Sequence, residues 1–87
     1  METIDIKVHR INRIFANGPT KAYVDLNVND VLLIKGLRIV ESKNGLFVSM
    51  PMERGKNNRW YENVRCLRSE VRSFIHKAVL EAYSHEA

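Results

Sequence analysis

Apolar and polar residues alternate along the first third of the chain, and this period of two is typical of half-buried β-strands. The alternation covers residues 3–9 and returns in residues 21–28. Between them, residues 16–20 are Ala-Asn-Gly-Pro-Thr, a cluster that favours chain reversal. The sequence therefore predicts an antiparallel pair of strands with one apolar face turned toward a core.

A third strand is predicted in residues 31–40, which are apolar at odd and even positions alike, interrupted only by Lys35, Gly36 and Arg38. A strand of this kind is expected to be covered on both faces. Glycine weakens the interior of a strand unless the backbone requires it. Gly36 therefore predicts a β-bulge or a close approach of another backbone.

Turn and strand signals continue into the middle of the chain. The Asn44-Gly45 pair predicts a hairpin turn, and residues 46–50 a fourth strand. Pro51 has no N–H group to donate to a ladder, so strand pairing is predicted to end there. We expect residues 52–58 to form a polar loop and residues 59–64 a short fifth strand.

The last third of the chain has a helical pattern, for which Ser69 is the expected N-cap. Its apolar residues recur every three or four positions and so fall on one stripe of a helix. The stripe consists of Val71, Phe74, Ile75, Ala78, Val79 and Ala82. The predicted fold class is α+β, an antiparallel sheet of four to five strands followed by a C-terminal helix, in a single domain spanning residues 1–87.

Length and composition support one folded domain, because the chain has 87 residues, of which 45% are hydrophobic and 28% charged. The longest apolar run, residues 31–34, is far shorter than the roughly 18 residues that span a membrane. The chain starts with Met-Glu-Thr and lacks the basic and apolar segments of a signal peptide. We therefore expect a cytoplasmic protein without membrane contact.

The positive charge is concentrated in one segment. Residues 54–77 contain seven Lys or Arg against two Glu, a net charge of +5, whereas residues 1–53 contain seven basic and six acidic residues, a net charge of +1. Six of the seven form what we call the basic track: Arg54, Lys56, Arg59, Arg65, Arg68 and Arg72. Guanidinium groups suit bidentate contact with phosphate, so an anionic partner is the leading hypothesis. The alternative is a basic protein that binds no nucleic acid.

The chain offers little chemistry for catalysis or metal binding. It has one cysteine and three histidines far apart in sequence, so neither a disulfide nor a zinc motif is predicted. We find no nucleophile–base pair, no paired carboxylates and no phosphate-binding glycine loop. Cys66 is interpreted as a packing residue, since no histidine lies near it in sequence. We expect no enzymatic activity, cofactor, metal or small-molecule substrate.

Residues 44–51 are Asn-Gly-Leu-Phe-Val-Ser-Met-Pro, and this motif resembles the Asn-Gly-Leu-Phe-Val-x-Met-Pro signature of the stage V sporulation protein G (SpoVG) family. Residues 37–41 are similar to the family's preceding strand, and residues 69–83 to its C-terminal helix. The resemblance implies a small bacterial cytoplasmic regulator of septation, sporulation and other genes that forms a homodimer and binds DNA and RNA. It also implies that the basic residues after Met-Pro, here Arg54 and Lys56, contact nucleic acid.

Two functions are therefore expected as alternatives. The first is a DNA-binding regulator, with RNA as a second candidate ligand, whose basic track contacts phosphates. The second is a protein-interaction module of the cell-division machinery that binds no nucleic acid. A mobility shift with generic DNA at low salt separates the two, because phosphate contacts are strongest there.

Two aromatic residues and the oligomeric state leave further alternatives. Trp60 and Tyr61 lie between basic residues, where they are placed to stack on an unpaired base. The alternative is that they pack in the core or in a dimer interface, where aromatic side chains are common. A homodimer is predicted, because one helix covers only one side of a small sheet whose third strand is apolar on both.

Overall fold

In the computed structural model, which describes residues 4–85, six strands precede one helix. The elements are β1 (Ile6–Arg13), β2 (Thr20–Val28), β3 (Leu32–Ser42), β4 (Gly45–Ser49), β5 (Met52–Arg54), β6 (Trp60–Glu62) and α1 (Ser69–His85). Strands β1 to β4 form one antiparallel sheet in sequence order, and β5 and β6 form a second, two-stranded sheet. The predicted α+β class is confirmed. The start of the predicted first strand, Thr3, lies outside the described residues.

The core lies between one face of the four-stranded sheet and α1, which contacts both edge strands, β1 and β4. The predicted inward face of β2 is confirmed, because Ala22, Val24 and Leu26 are fully buried. Leu37 and Ile39 of β3 and Val79 of α1 are also fully buried. Within the single chain, β3 is covered on this face only. On its other face Leu33 is exposed, so the prediction of cover on both faces is not met by the chain alone.

A bulge in β1 keeps its inward side chains on the core face. The pairing with β2 shifts between Val8 and Arg10, and beyond this shift Ile11 packs against the core. Arg13 then reaches α1, where its Nη2 donates a hydrogen bond to the Tyr83 carbonyl and its guanidinium carbon lies 4.2 Å from the centre of the Tyr83 ring. A cation at the last carbonyls of a helix satisfies them and favours the helix dipole.

The predicted bulge at Gly36 is confirmed. The pairing of β2 with β3 shifts between Val24 and Leu26, and Gly36, in the bulged part of β3, has a φ of +91°. Residues other than glycine rarely adopt this backbone conformation. A Cβ atom there would lie 3.9 Å from the Cβ of Pro51, an ordinary contact. The backbone conformation, and not the space, requires glycine.

Two predictions for α1 are wrong. Phe74 is 52% exposed, because the buried stripe is centred on Ile75 and Val79 and Phe74 lies on its flank. Ser69 is the first helical residue and not the cap. The carbonyl of Arg68 accepts the N–H of Arg72 at 3.0 Å, so Arg68 holds the cap position.

Part of the predicted polar loop is the first strand of a small hairpin, residues 52–62. In its ladder Arg54 lies opposite Trp60. The turn is closed by a hydrogen bond of 2.8 Å from the Gly55 N–H to the Arg59 carbonyl, and Asn58 adopts a φ of +63°. The loop prediction fails because strands of three mostly exposed residues leave no burial pattern in the sequence. The predicted fifth strand is confirmed in shorter form as β6.

Candidate nucleic-acid interface

A cleft of about 420 Å³ lies between the small hairpin, β4 and the first turn of α1, and we call it the hairpin cleft. Phe47 forms part of its wall on the side of β4, and Trp60 and Tyr61 contribute from β6. Arg65 and Arg72 bring two guanidinium groups to it. Glu62 adds one carboxylate, so the cleft combines flat apolar surfaces with a net positive charge.

Trp60 is 54% exposed and is flanked by two arginines. The guanidinium carbons of Arg54 and Arg38 lie 5.5 Å and 6.0 Å from the centre of its ring, within the range of cation–π attraction. Arg54 reaches the ring from the opposite strand of the small hairpin, and Arg38 from β3. Sequence reasoning missed Arg38. The only signal for it was a charged residue inside a mostly apolar strand.

Tyr61 is 50% exposed and is positioned by the turn of the small hairpin. Asn57 Nδ2 donates a hydrogen bond of 2.8 Å to its hydroxyl oxygen. Its ring covers Gly55, where an added Cβ would lie only 2.6 Å from Tyr61 Cε2. Any larger residue at position 55 would displace the ring. Since Trp60 and Tyr61 are both half exposed, the alternative of core packing is wrong for them, and packing in a dimer interface stays a prediction.

Three members of the basic track meet near the hairpin cleft: Arg54, Arg65 and Arg72. Arg65 Nε lies 3.0 Å from Glu62 Oε1 in an exposed ion pair. Such pairs contribute at most about 1 kcal/mol, so a phosphate can compete with the carboxylate for this arginine. The sequence grouped these residues by charge, and the structure places them around one cleft.

The other three members of the basic track lie apart from the cleft. Lys56 is in the turn of the small hairpin, and Arg59 follows that turn directly. Arg68 lines an adjoining apolar groove of about 330 Å³ at the start of α1. Over residues 4–85, Arg65 is the only member of the basic track that forms an ion pair.

Cys66 has a packing role, as predicted. It is partly buried against the core, and its Sγ donates a hydrogen bond of 3.4 Å to the Arg68 carbonyl. In the part of the chain that the structure describes, no three His, Cys, Asp or Glu side chains meet in a way that could hold a metal ion. None of the helical structure within residues 4–85 is long and apolar enough to cross a membrane.

The family model described as SpoVG matches residues 1–85 of this chain, which include both sheets and α1. The chain belongs to the SpoVG family. The resemblance carried by residues 44–51 is thereby confirmed, and the hairpin cleft lies within the matched SpoVG region.

Individual relatives support the same membership, and each is named "Putative septation protein SpoVG". The relative from Desulforudis audaxviator is 36% identical over 85 residues, covering 98% of this chain and 93% of the relative. That from Archaeoglobus fulgidus is 36% identical over 77 residues, covering 88% and 91%. That from Staphylococcus carnosus is 31% identical over 83 residues, covering 95% and 75%.

Proposed function

We propose that this SpoVG-family protein is a cytoplasmic, non-enzymatic regulator that binds DNA, with RNA as a second candidate ligand, and acts in septation or sporulation. The observation that supports the proposal most strongly is the small hairpin, where two guanidinium groups lie within 6.0 Å of the half-exposed Trp60 ring and Tyr61 is half exposed. Cations recognise phosphates and exposed rings recognise bases, and nucleic-acid-binding surfaces combine the two.

The charge of the interface favours a polyanion over a single anionic group. The basic track spans the small hairpin, the segment after it and the first turn of α1. Five of its six side chains form no ion pair with the acidic side chains of residues 4–85. Cations spread over such a length match a chain of phosphates, each contact releasing a counterion and adding to affinity.

The biological role rests on the relatives. Each of the three is named for septation, and this chain matches most of the length of each. A regulator of septation acts through either nucleic acid or another protein. The basic track favours nucleic acid.

The proposal is tested by electrophoretic mobility shifts with duplex DNA, single-stranded DNA and RNA at two salt concentrations. We expect binding at low salt that weakens steeply at the higher concentration. A matched pair of double variants locates the site: Arg54 and Lys56 to alanine inside the basic track, and Arg10 and Lys43 to alanine outside it. Both remove one arginine and one lysine from exposed positions. Their affinities for nucleic acid should therefore differ only if the site lies at the small hairpin.

We also propose a homodimer. Large apolar side chains are exposed at the end of the sheet near the start of α1: Ile4, Val31, Leu32 and Leu67, with Leu67 90% exposed. Ile4 and Leu67 line the apolar groove there. A second copy that covered these residues would remove them from water. Light scattering should give twice the monomer mass, and a clean monomer at tens of micromolar would contradict the dimer.

The second candidate function, a protein-interaction module of the cell-division machinery, is favoured by the same apolar groove. Arg65 and Arg68 line it, so it fits an apolar segment that also carries acidic residues. If none of the three nucleic acids binds at low salt, this function replaces the first.

A further inference from the structure

We infer that the hairpin cleft binds one unpaired nucleotide, with the base against Trp60 and the phosphate on Arg72 and Arg65. The protein should therefore prefer single-stranded nucleic acid to duplex. The inference rests on the proposed function and goes beyond it, because phosphate contacts along the basic track would not distinguish the two kinds of strand.

The dimensions and walls of the cleft fit a nucleotide. Its volume of about 420 Å³ falls within the roughly 300–1,000 Å³ of small-ligand sites. Phe47 and Trp60 supply aromatic surface, Arg65 and Arg72 supply two cations, and Glu62 supplies one carboxylate, which a phosphate must displace from Arg65. A ligand that satisfies both halves has a flat ring system and an anionic group, as a nucleobase joined to its phosphate has.

Two guanidinium groups lie close to the ring of Trp60. Arg54 and Arg38 flank the ring at 5.5 Å and 6.0 Å, yet more than half of the side chain stays exposed. The arginines restrict the ring without burying it, which lowers the entropic cost of ordering it against a base. The same two cations are available to the phosphates on either side of the stacked nucleotide.

Tyr61 follows Trp60 directly in β6, so its side chain lies on the opposite face of the small hairpin. Its hydroxyl is held by Asn57 at 2.8 Å, and its ring lies over Gly55, so its orientation is set before any ligand arrives. In a duplex each base is already stacked and paired, so its faces are closed to the ring of Trp60. Only an unpaired base, or a free nucleotide of the same chemistry, can enter.

Trp60 is the only tryptophan, so the fluorescence of the unmodified chain reports on this site alone. The chain is titrated with a single-stranded oligonucleotide, its duplex, an abasic oligonucleotide of equal length and a free nucleoside monophosphate. We expect quenching by the single strand at about tenfold lower concentration than by the duplex, and binding of the abasic strand without quenching. Equal quenching by duplex and single strand, or by abasic and normal strands, would overturn the inference.

Two variants separate stacking from charge, with binding followed by the anisotropy of a labelled oligonucleotide. Trp60→Leu removes the aromatic ring, and Trp60→Phe keeps one. We expect Trp60→Leu to weaken single-strand binding about tenfold while duplex binding is unchanged, and Trp60→Phe to restore most of the loss. Equal weakening on both ligands would contradict stacking.

The remaining titrations distinguish a free nucleotide from a strand as the ligand, and failure of the cleft inference from failure of the proposed function. If the free nucleotide binds as tightly as the single strand, the ligand of the cleft is a free nucleotide and the preference for a strand is contradicted. If the normal single strand binds without ever quenching Trp60, the phosphate contacts of the basic track stand and the cleft inference fails. If no polyanion binds at all, the proposed function fails with it.

Discussion

The four-stranded sheet with α1 and the small hairpin are built on opposite principles. In the first, the alternation of side chains leads to complete burial, as for Leu26, Leu37 and Ile39. In the second, the three residues of β6 are all exposed and β5 is little better covered. Burial explains which residues the sheet contains. It does not explain a tryptophan and a tyrosine on the surface of a hairpin.

The two regions also differ in charge. Residues 1–53 hold seven basic and six acidic side chains, and residues 54–77 hold seven against two. A two-stranded hairpin is marginally stable by itself. Its residues can be selected for binding rather than for stability only where a larger core supports the hairpin. The comparison teaches that the sheet and α1 carry the stability, which leaves the small hairpin free for the binding that we propose.

The largest expected effect is on the core side of this comparison. Leu26→Ala removes a fully buried side chain and should lower the free energy of unfolding by about 2–5 kcal/mol. Phe74→Ala, on the exposed flank of α1, should cost less than about 1 kcal/mol. Urea denaturation followed by circular dichroism measures both. Equal losses for the two variants would show that Phe74 is buried in solution.

A smaller loss of stability is expected at the β3 bulge. Gly36→Ala forces a residue with a Cβ into a φ of +91° and should cost about 1–2 kcal/mol. Gly18→Ala is the control, because nothing lies near the added Cβ and no positive φ is involved, so its stability should stay the same or rise slightly. Thermal unfolding compares the two. A neutral Gly36→Ala would mean that the bulge rearranges freely.

The smallest effect on stability belongs to the small hairpin. Replacing Arg54 and Lys56 together by alanine should lower the free energy of unfolding by less than about 1 kcal/mol, because both side chains are exposed. Nucleic-acid binding should nevertheless weaken clearly. Urea denaturation and mobility shifts on the same preparation measure the two effects. A large loss of stability would make the small hairpin part of the core and would remove the distinction between the regions.

Much of the sheet was predictable because burial and backbone sterics leave marks in sequence. The alternation in β2 follows from one buried face, and Gly36 from a backbone that only glycine adopts readily. The Asn44-Gly45 signal located the β3–β4 turn, although only Gly45 has a positive φ, +110°. The turn between β2 and β3 also had a sequence signal, the Asn29-Asp30 pair, which sequence reasoning missed. Both residues have positive φ.

The candidate site was predictable in composition but not in geometry. Charge counting found the basic track, and the adjacent aromatics were visible. The cleft depends on contacts between distant elements, such as Arg38 of β3 reaching Trp60, and no local pattern records these. The Asn57-Asn58 pair was the missed sign of the small hairpin, since asparagine tolerates the positive φ found at Asn58.

The central claim is that the basic track binds the phosphates of a nucleic acid. The most direct test is the slope of log affinity against log salt for the unchanged chain, the Arg54 and Lys56 double variant, and the Arg10 and Lys43 control. Loss of two phosphate contacts should flatten the slope by about 1.4 on a single strand and about 1.8 on duplex DNA, and the control should match the unchanged chain. A slope that stays the same in the Arg54 and Lys56 variant, with affinity also unchanged, would contradict the account.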